Sequence, residues 1–258
     1  MYNEKDIISK WNSEMYDRTE TDTNDVEFAL SVIGAEPKRI LEIACGSGRF
    51  LVPMANAGHN VTGLDFDEHM LNRIATKISG TQNIRWYKSD VINDEWETEF
   101  DIVLLVANFL SNIVSDMDYE YAQELMIKKS AAALVCGGYL LIDYAYTSYP
   151  EKWFSNPNPI VVWQGTDSEG NWGKMVLLNN TYDKETGISK CIRRFEMTLA
   201  DGRSLVQEIP TEKHFATLEQ VREWLNRSGF VIENEWGDYH GNPISENTNR
   251  AIIWAKKK

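Results

Sequence analysis

The chain has 258 residues, 43% of them hydrophobic and 25% charged, with 26 Lys and Arg against 39 Asp and Glu and a net charge of −13. That is the balance of a globular chain with one large domain, or one domain and an elaboration; the negative charge argues against general affinity for phosphate backbones, because basic residues occur only as scattered pairs such as Lys128–Lys129 and Arg193–Arg194 and in the tail Lys256–Lys258. No apolar run approaches the roughly 18 residues of a membrane helix, and the polar stretch Met1–Lys10 carries no signal-peptide core.

In chain order, Ile7–Tyr16 and Val26–Ile33 have helical spacing. Arg39–Ala44 reads as a buried strand and runs at once into Cys45-Gly-Ser-Gly48. From Arg49 the apolar residues Phe50, Leu51, Met54 and Ala57 predict a helix stopped by Gly58. Asn60–Leu64 is a second strand ended by Asp65, and Met70, Leu71, Ile74 and Ile78 mark a helix closed by Gly80. Ile84–Lys88 alternates like a strand and reaches Ser89-Asp90. Phe100–Ala107 is apolar enough for a strand buried on both faces. A helix from about Tyr119 to Val135 ends at Gly137-Gly138, before a fifth strand, Tyr139–Asp143. Strands alternating with helices in this way predict a doubly wound, mostly parallel α/β sheet.

After Ser148 the pattern changes. Pro150, Pro157 and Pro159 break the chain, and Ile160–Trp163, Lys174–Tyr182, Ile188–Leu199 and Ser204–Phe215 read as strands separated by turns. That is an antiparallel meander. A helix over Leu218–Asn226, started by Thr217, and two strands, Phe230–Trp236 and Arg250–Ala255, close the chain. The expected organisation is a Rossmann-like core from residues 1–148 and 216–258, with a seven-stranded sheet. A β insertion over 149–215 lies between the fifth strand and the last helix and forms a substrate lid.

The chemistry gathers at strand ends. In Leu41-Glu-Ile-Ala-Cys-Gly-Ser-Gly48 a strand enters a glycine turn that opens a helix. Such a turn brings bare backbone and exposed N–H groups close to a ligand. Asp65, 19 residues after Gly46, stands where a carboxylate accepts from a ribose diol. Asp90 stands where an acid accepts from an adenine amine. All these ends fall on the one edge where open α/β sheets bind ligands. The cysteines Cys45, Cys136 and Cys191 are odd in number and far apart. They predict a reducing, cytoplasmic setting, no disulfide framework and no metal site, each serving as a small buried hydrophobe.

The residues Leu41–Arg49, Val61–Phe66, Ser89-Asp90, Phe100–Val103 and Gly137–Asp143 resemble, as an ordered set, the motifs of class I S-adenosylmethionine-dependent methyltransferases. The match runs from about Tyr16 to Asp143 and resumes in the C-terminal helix and strands. The tail, with Phe215–Glu219, Gly229-Phe230 and Asp238–Asn242, is similar to small-molecule enzymes with a β insertion, such as amino-sugar N,N-dimethyltransferases and glycine N-methyltransferase-like proteins. The resemblance implies S-adenosyl-L-methionine as cofactor. It implies Glu42, Ala44, Cys45, Gly46 and Gly48 around the methionine half, Asp65 on the ribose, Phe66 and Met70 flanking the adenine, and Asp90 with the Val91 backbone on its edge. Val106, Ala107 and Asn108 would line the reaction side, and Tyr16 would close over the cofactor. Two features depart from the pattern. Cys45 replaces a common glycine, and Ala107-Asn-Phe-Leu110 stands in place of the Asn/Asp-Pro-Pro-Tyr motif of enzymes that methylate DNA bases or glutamine.

Methyl transfer is an in-line displacement in which alignment does most of the work, helped by a base. Tyr144, Tyr146 and His214 are the catalytic candidates, with Asp143 and His240 behind them. The aromatic insertion suits a flat, apolar or cationic acceptor. The expected partner is a small molecule or short peptide methylated on nitrogen or oxygen, with neither nucleic acid nor membrane involved, by a monomer or homodimer. Two alternatives stay open: an NAD(P)-dependent oxidoreductase, for which Leu51 stands where a third glycine belongs, and a cofactor-binding module without catalysis.

Overall fold

The computed structural model describes residues 4–80 and 83–258; Met1–Asn3 of the polar N-terminal stretch lie outside them. The chain divides into two compact units. One comprises Thr23–Ser148 and Phe215–Lys258; the other joins Tyr149–His214 to the first residues up to Asp22.

The larger unit is built on seven strands: β1 (Arg39–Ile43), β2 (Asn60–Asp65), β3 (Ile84–Lys88), β4 (Phe100–Leu105), β5 (Leu134–Ala145), β10 (Phe230–Trp236) and β11 (Arg250–Lys257). Their order is β10-β11-β5-β4-β1-β2-β3. Pairs among β1 to β5 are parallel, and β11 runs antiparallel to both of its neighbours. The order reverses between β1 and β4, the topological switch point where such sheets open a crevice at the strands' carboxyl ends.

Both faces are covered, which is why the strands read as continuous apolar runs. Leu41, Ile43, Val103, Leu105, Leu140 and Ile142 pack with α5 (Tyr119–Ala133) and α7 (Leu218–Arg227). Ile40, Ile102, Leu104 and Leu141 pack with α2 (Asn24–Ile33), α3 (Leu51–Asn56) and α4 (Glu68–Ile74). The cap of α7 follows the chemistry read from the sequence, and that of α4 is supplied by a residue the reading did not name. Thr217 and Gln220 form a reciprocal capping box on α7, and the Asp67 carboxylate accepts from the His69 and Met70 amides at the start of α4. Gly63, in the middle of β2, answers a close approach. A Cβ there would lie 2.7 Å from Cys45 Sγ and 2.8 Å from Leu51 Cδ2.

The smaller unit is an antiparallel sheet in the order β6-β7-β8-β9, formed by β6 (Ile160–Thr166), β7 (Trp172–Asp183), β8 (Ile188–Thr198) and β9 (Ser204–His214). It also contains α1 (Glu4–Thr19) and the short α6 (Pro150–Phe154). Ile8, Trp11 and Met15 repeat along one side of α1 and pack with Met175, Phe195, Met197 and Leu205. The Trp11 indole donates to the Gly165 carbonyl at 3.1 Å. The first helix therefore packs with the meander, whereas the sequence reading assigned residues 1–22 to the Rossmann-like core.

Smaller differences have local causes. β5 begins at Leu134 rather than Tyr139, because Gly137-Gly138 lies in a register irregularity within the strand instead of terminating a helix. Pro150 opens α6, at a position where a missing N–H costs nothing. Of the cysteines, Cys45 is buried as expected, but Cys136 is exposed and Cys191 half-buried; all three are free.

Candidate active site

The carboxyl ends of β1, β2, β3 and β4 bring together most of the residues singled out from the sequence. After β1 the backbone passes through left-handed conformations at Ala44 (φ 56°), Gly46 (φ 54°) and Gly48 (φ 82°). After β4 it does so again at Ala107 (φ 54°) and Asn108 (φ 61°). Side-chain-bearing residues adopt this region only when their surroundings impose it, and such strain concentrates at functional sites. A Cβ on Gly46 would meet nothing within 4 Å, so this turn presents open backbone.

The turn is fixed by the end of β2. Asp65, almost fully buried, accepts from the Gly46 amide through one carboxylate oxygen and from the Asp67 amide through the other, both at 2.8 Å. Burial raises its pKa, and these amides oppose the rise. The Ser89 amide donates to the Asp65 carbonyl, tying β3 to β2. Phe66, the next residue, is 66% exposed. Met70 is half-buried near the start of α4.

Glu42 lies on β1 at 3% exposure, with its Oε2 atom buried and without a hydrogen-bond partner. Burial pushes this carboxyl well above the ordinary carboxylate range; the Arg49 charge and the Leu51 amide oppose that push, and the Asp65 charge adds to it. At the end of the adjacent strand, Asn108 donates its amide to the Asp143 carbonyl at 3.2 Å and accepts at its own carbonyl from Ser111 and Asn112. Its side-chain Oδ1 is buried and unpartnered. Two acceptors thus remain open at the ends of the strands flanking the switch point. An unsatisfied buried acceptor costs about 1–3 kcal/mol, and a ligand that donates there recovers it. This geometry fits the aminoacyl end of an adenosyl sulfonium, which carries an ammonium, and the bare turn at Gly46 leaves room beside it.

Asp90 is exposed and already engaged. It accepts from the Ile92 and Asn93 amides and from the Asn93 side chain, and that side-chain bond is the main cause of its lowered pKa. Val91 lends its carbonyl to Trp96 Nε1 and Lys129 Nζ.

A model of the family described as "Methyltransferase domain" matches residues 40–129. The protein named "Putative methyltransferase YqeM" of Bacillus subtilis (strain 168) is 32% identical over 229 residues, covering 86% of this chain and 85% of its own. The 23S rRNA (uracil(1939)-C(5))-methyltransferase RlmD of Aeromonas salmonicida matches only in part, at 29% identity over 44% of this chain and 30% of its own. Among solved structures, the sugar N-methyltransferase KedS8 from Streptoalloteichus superposes with a TM-score of 0.71 at 16% identity, over 94% of this chain and 91% of its own.

The chain belongs to the S-adenosylmethionine-dependent methyltransferases. Its cofactor is S-adenosyl-L-methionine, and the oxidoreductase alternative falls. Val106 is buried at the end of β4, and Ala107 is exposed beside it. Tyr144 is 1% exposed among Ala251, Ile253 and Trp224 of the α5/α7 side, with its hydroxyl unpartnered and its pKa raised far above the ordinary value by burial. Tyr146 is half-buried and meets the Tyr144 ring edge-on. Asp143 is claimed by Arg250 at 2.5 Å and by the Tyr239 hydroxyl at 2.9 Å, so its carboxylate is committed within the unit. His240 is exposed in a turn organised by Asp238. Tyr16 and His214 belong to the smaller unit. There the Tyr16 ring meets Trp163 edge-on, and His214 ends β9, buried.

Sequence reasoning passed over three groups that hold the rim. Arg49 and Asp25 form a bidentate pair at 2.7 and 2.5 Å, joining α2 to the residue after the glycine turn. Lys77 Nζ donates to the Ser47 carbonyl, and Lys129 Nζ to the carbonyls of Val91, Ile92 and Asp94. Arg49 closes the Leu41–Arg49 motif, but no spacing announces its pairing with Asp25, and Lys77 and Lys129 stand at no fixed offset from a motif. Among the described residues no helix is long and apolar enough to cross a membrane, and no cluster suits a metal ion.

Proposed function

We propose that this methyltransferase acts on a nitrogen of a small molecule. The observation that carries the reading is the pair of open buried acceptors, Glu42 Oε2 and Asn108 Oδ1, beside the bare turn at Gly46. In this reading Glu42 and Asn108 receive the cofactor's ammonium end, with Ala44, Cys45, Gly46, Gly48, Val106 and Ala107 around it. Asp65 holds the ribose, Phe66 and Met70 flank the adenine, and Asp90 and Val91 meet its edge. When bound, S-adenosylmethionine supplies a methyl group already activated on a sulfonium. The protein's task is then alignment and exclusion of water, and alignment alone accounts for roughly 7–11 kcal/mol of a barrier. An amine acceptor also needs its nitrogen unprotonated. Of the tyrosines, Tyr144 is the poorer base, because its buried phenol holds its proton; the half-buried Tyr146 is the better candidate.

A small molecule is favoured over RNA by the net charge of −13 and the scattered basic residues, and by the partial extent of the RlmD match. Nitrogen is favoured by the likeness to a sugar N-methyltransferase over almost the whole chain. We place its action in a reducing, cytoplasmic setting, consistent with three free cysteines.

Calorimetry and product analysis test the proposal. S-adenosylmethionine binds and NAD does not; Asp65→Ala weakens cofactor binding by about 1.5–3 kcal/mol, the range for hydrogen bonds to charged groups. A panel of amines and alcohols then yields S-adenosylhomocysteine with amines first. Unchanged affinity in the Asp65 variant removes the ribose assignment, and turnover confined to alcohols or RNA removes the acceptor class.

A further inference from the structure

The four-stranded sheet has two faces of unlike electrostatics. On the outer face every strand cation is paired: Lys174 with Glu196, Lys190 with Glu212, and Arg194 with both Glu196 and Glu208. The pairs are cross-strand neighbours or next to them, as the registers Lys174↔Glu196, Lys190↔Glu212 and Arg194↔Glu208 require.

The pleat sends Arg193 and Lys213 to the opposite, inner face. Arg193 stands across from Ile209, and Lys213 across from Ser189, with Cys191 and Thr211 between them. This is the face on which Phe195 and Met197 receive α1. Neither cation forms an ion pair or a side-chain hydrogen bond with any described residue. Burial pushes the Lys213 ammonium down to about 8, and the Arg193 charge adds to that effect. Two cations held on one face without an acid between them repel each other and lack the counter-charge that buried ionised groups normally keep. The outer face shows that this sheet supplies glutamates wherever it neutralises its own basic residues.

The same face is open to a ligand. A groove of about 470 Å³ runs between α1 and the sheet, with Ile8, Asn12, Phe195, Gln207, Glu208 and Ile209 in its lining. Ile209 of its lining is the residue opposite Arg193; Arg193 and Lys213 themselves lie outside that lining.

We propose that this inner face binds a small anionic ligand, a carboxylate or a phosphate ester, between Arg193 and Lys213. Arg193 offers a planar fork matched to either oxyanion, and Lys213 a point charge.

The test uses the full chain with two probes, inorganic pyrophosphate and citrate, titrated separately at pH 8. Acylation of Lys213 by an amine-reactive ester is followed by mass spectrometry. Binding of either probe between the two cations slows acylation at Lys213 at least five-fold. Arg193→Gln raises the dissociation constant of that probe at least ten-fold, while Lys190→Gln on the outer face changes it less than two-fold. Protection by pyrophosphate alone assigns a phosphate ester, by citrate alone a carboxylate, and by both a site open to either. Absence of protection by both probes overturns the proposal, as does an equal loss in the Lys190 variant. Because acylation is read on the unaltered protein, poor folding of a variant does not blunt the test. S-adenosylmethionine titrated into the same samples reads the methyltransferase assignment separately. Failure there with Lys213 still protected removes the cofactor reading and leaves the anion site.

Discussion

The rim of the seven-stranded sheet and the inner face of the four-stranded sheet are opposites. At the rim, buried acceptors are in excess: Glu42 and Asn108 each keep an oxygen without a donor. On the inner face, cations are in excess, since Arg193 and Lys213 have no acid. One surface suits a ligand group that donates and is positive, the other a group that accepts and is negative. The chain's net charge of −13 predicts neither. What a surface binds is set by the groups its own fold leaves unsatisfied.

The comparison breaks first if burial alone made an acid available to a ligand. Asp143 is as buried as Glu42, yet Arg250 and Tyr239 satisfy it. Removing one partner of such a pair leaves an uncompensated buried charge, at a cost of about 3–5 kcal/mol. Arg250→Met is therefore expected to lower the unfolding free energy by that amount in urea titrations. A loss below about 1 kcal/mol, the range of exposed pairs, would show that Asp143 is not held as described and return it to the list of candidate bases.

Glu42 is the contrasting case. Burial raises its pKa, so between the ordinary carboxylate value and the raised one the folded protein keeps a proton that the unfolded chain releases. With the folded value above the unfolded one, its contribution favours the fold below the ordinary carboxylate range and is lost as pH rises through the native value. Glu42→Gln removes that titration. The ligand-free variant is expected to gain about 1–3 kcal/mol at pH 8, with a flatter stability profile between pH 5 and 8, while losing affinity for S-adenosylmethionine. Parallel profiles for the two proteins would mean that Glu42 carries no such penalty.

These contrasts also mark what was legible in the sequence. Strand, glycine turn and helix follow at fixed offsets, and so do Asp65 and Asp90 at strand ends, because a parallel sheet repeats one geometry. The alternation of strands and helices and the expected cofactor rim came from those offsets, whereas the strand order appeared only with the pairing of the strands. The glycine at 63 was visible but its reason was not: Cys45 and Leu51 close over it only once β1, β2 and α3 have packed. Arg49, Lys77 and Lys129 act on loops distant in sequence, at separations no motif fixes. Arg193 and Arg194 make the point most sharply. In the sequence they are one basic pair; in the pleat they face opposite ways, one neutralised twice and the other not at all. Cross-strand register decides between them, and register is a property of two segments at once.

The smallest expected effect tests the outer face. Lys190 and Glu212 are cross-strand partners at 2.8 Å, but their side chains are 60% and 40% exposed. Water screens such a pair, and holding two long side chains costs entropy, so exposed pairs contribute about 0.2–1 kcal/mol. Lys190→Gln is expected to lower the unfolding free energy in urea titrations by no more than that, and less still at high salt, where screening shortens the reach of surface charges. A shift of several kcal/mol would mean that the outer pairs hold the meander together. The cations of the inner face would then lack acids because the glutamates were needed for folding, and their unpaired state would no longer point to a ligand.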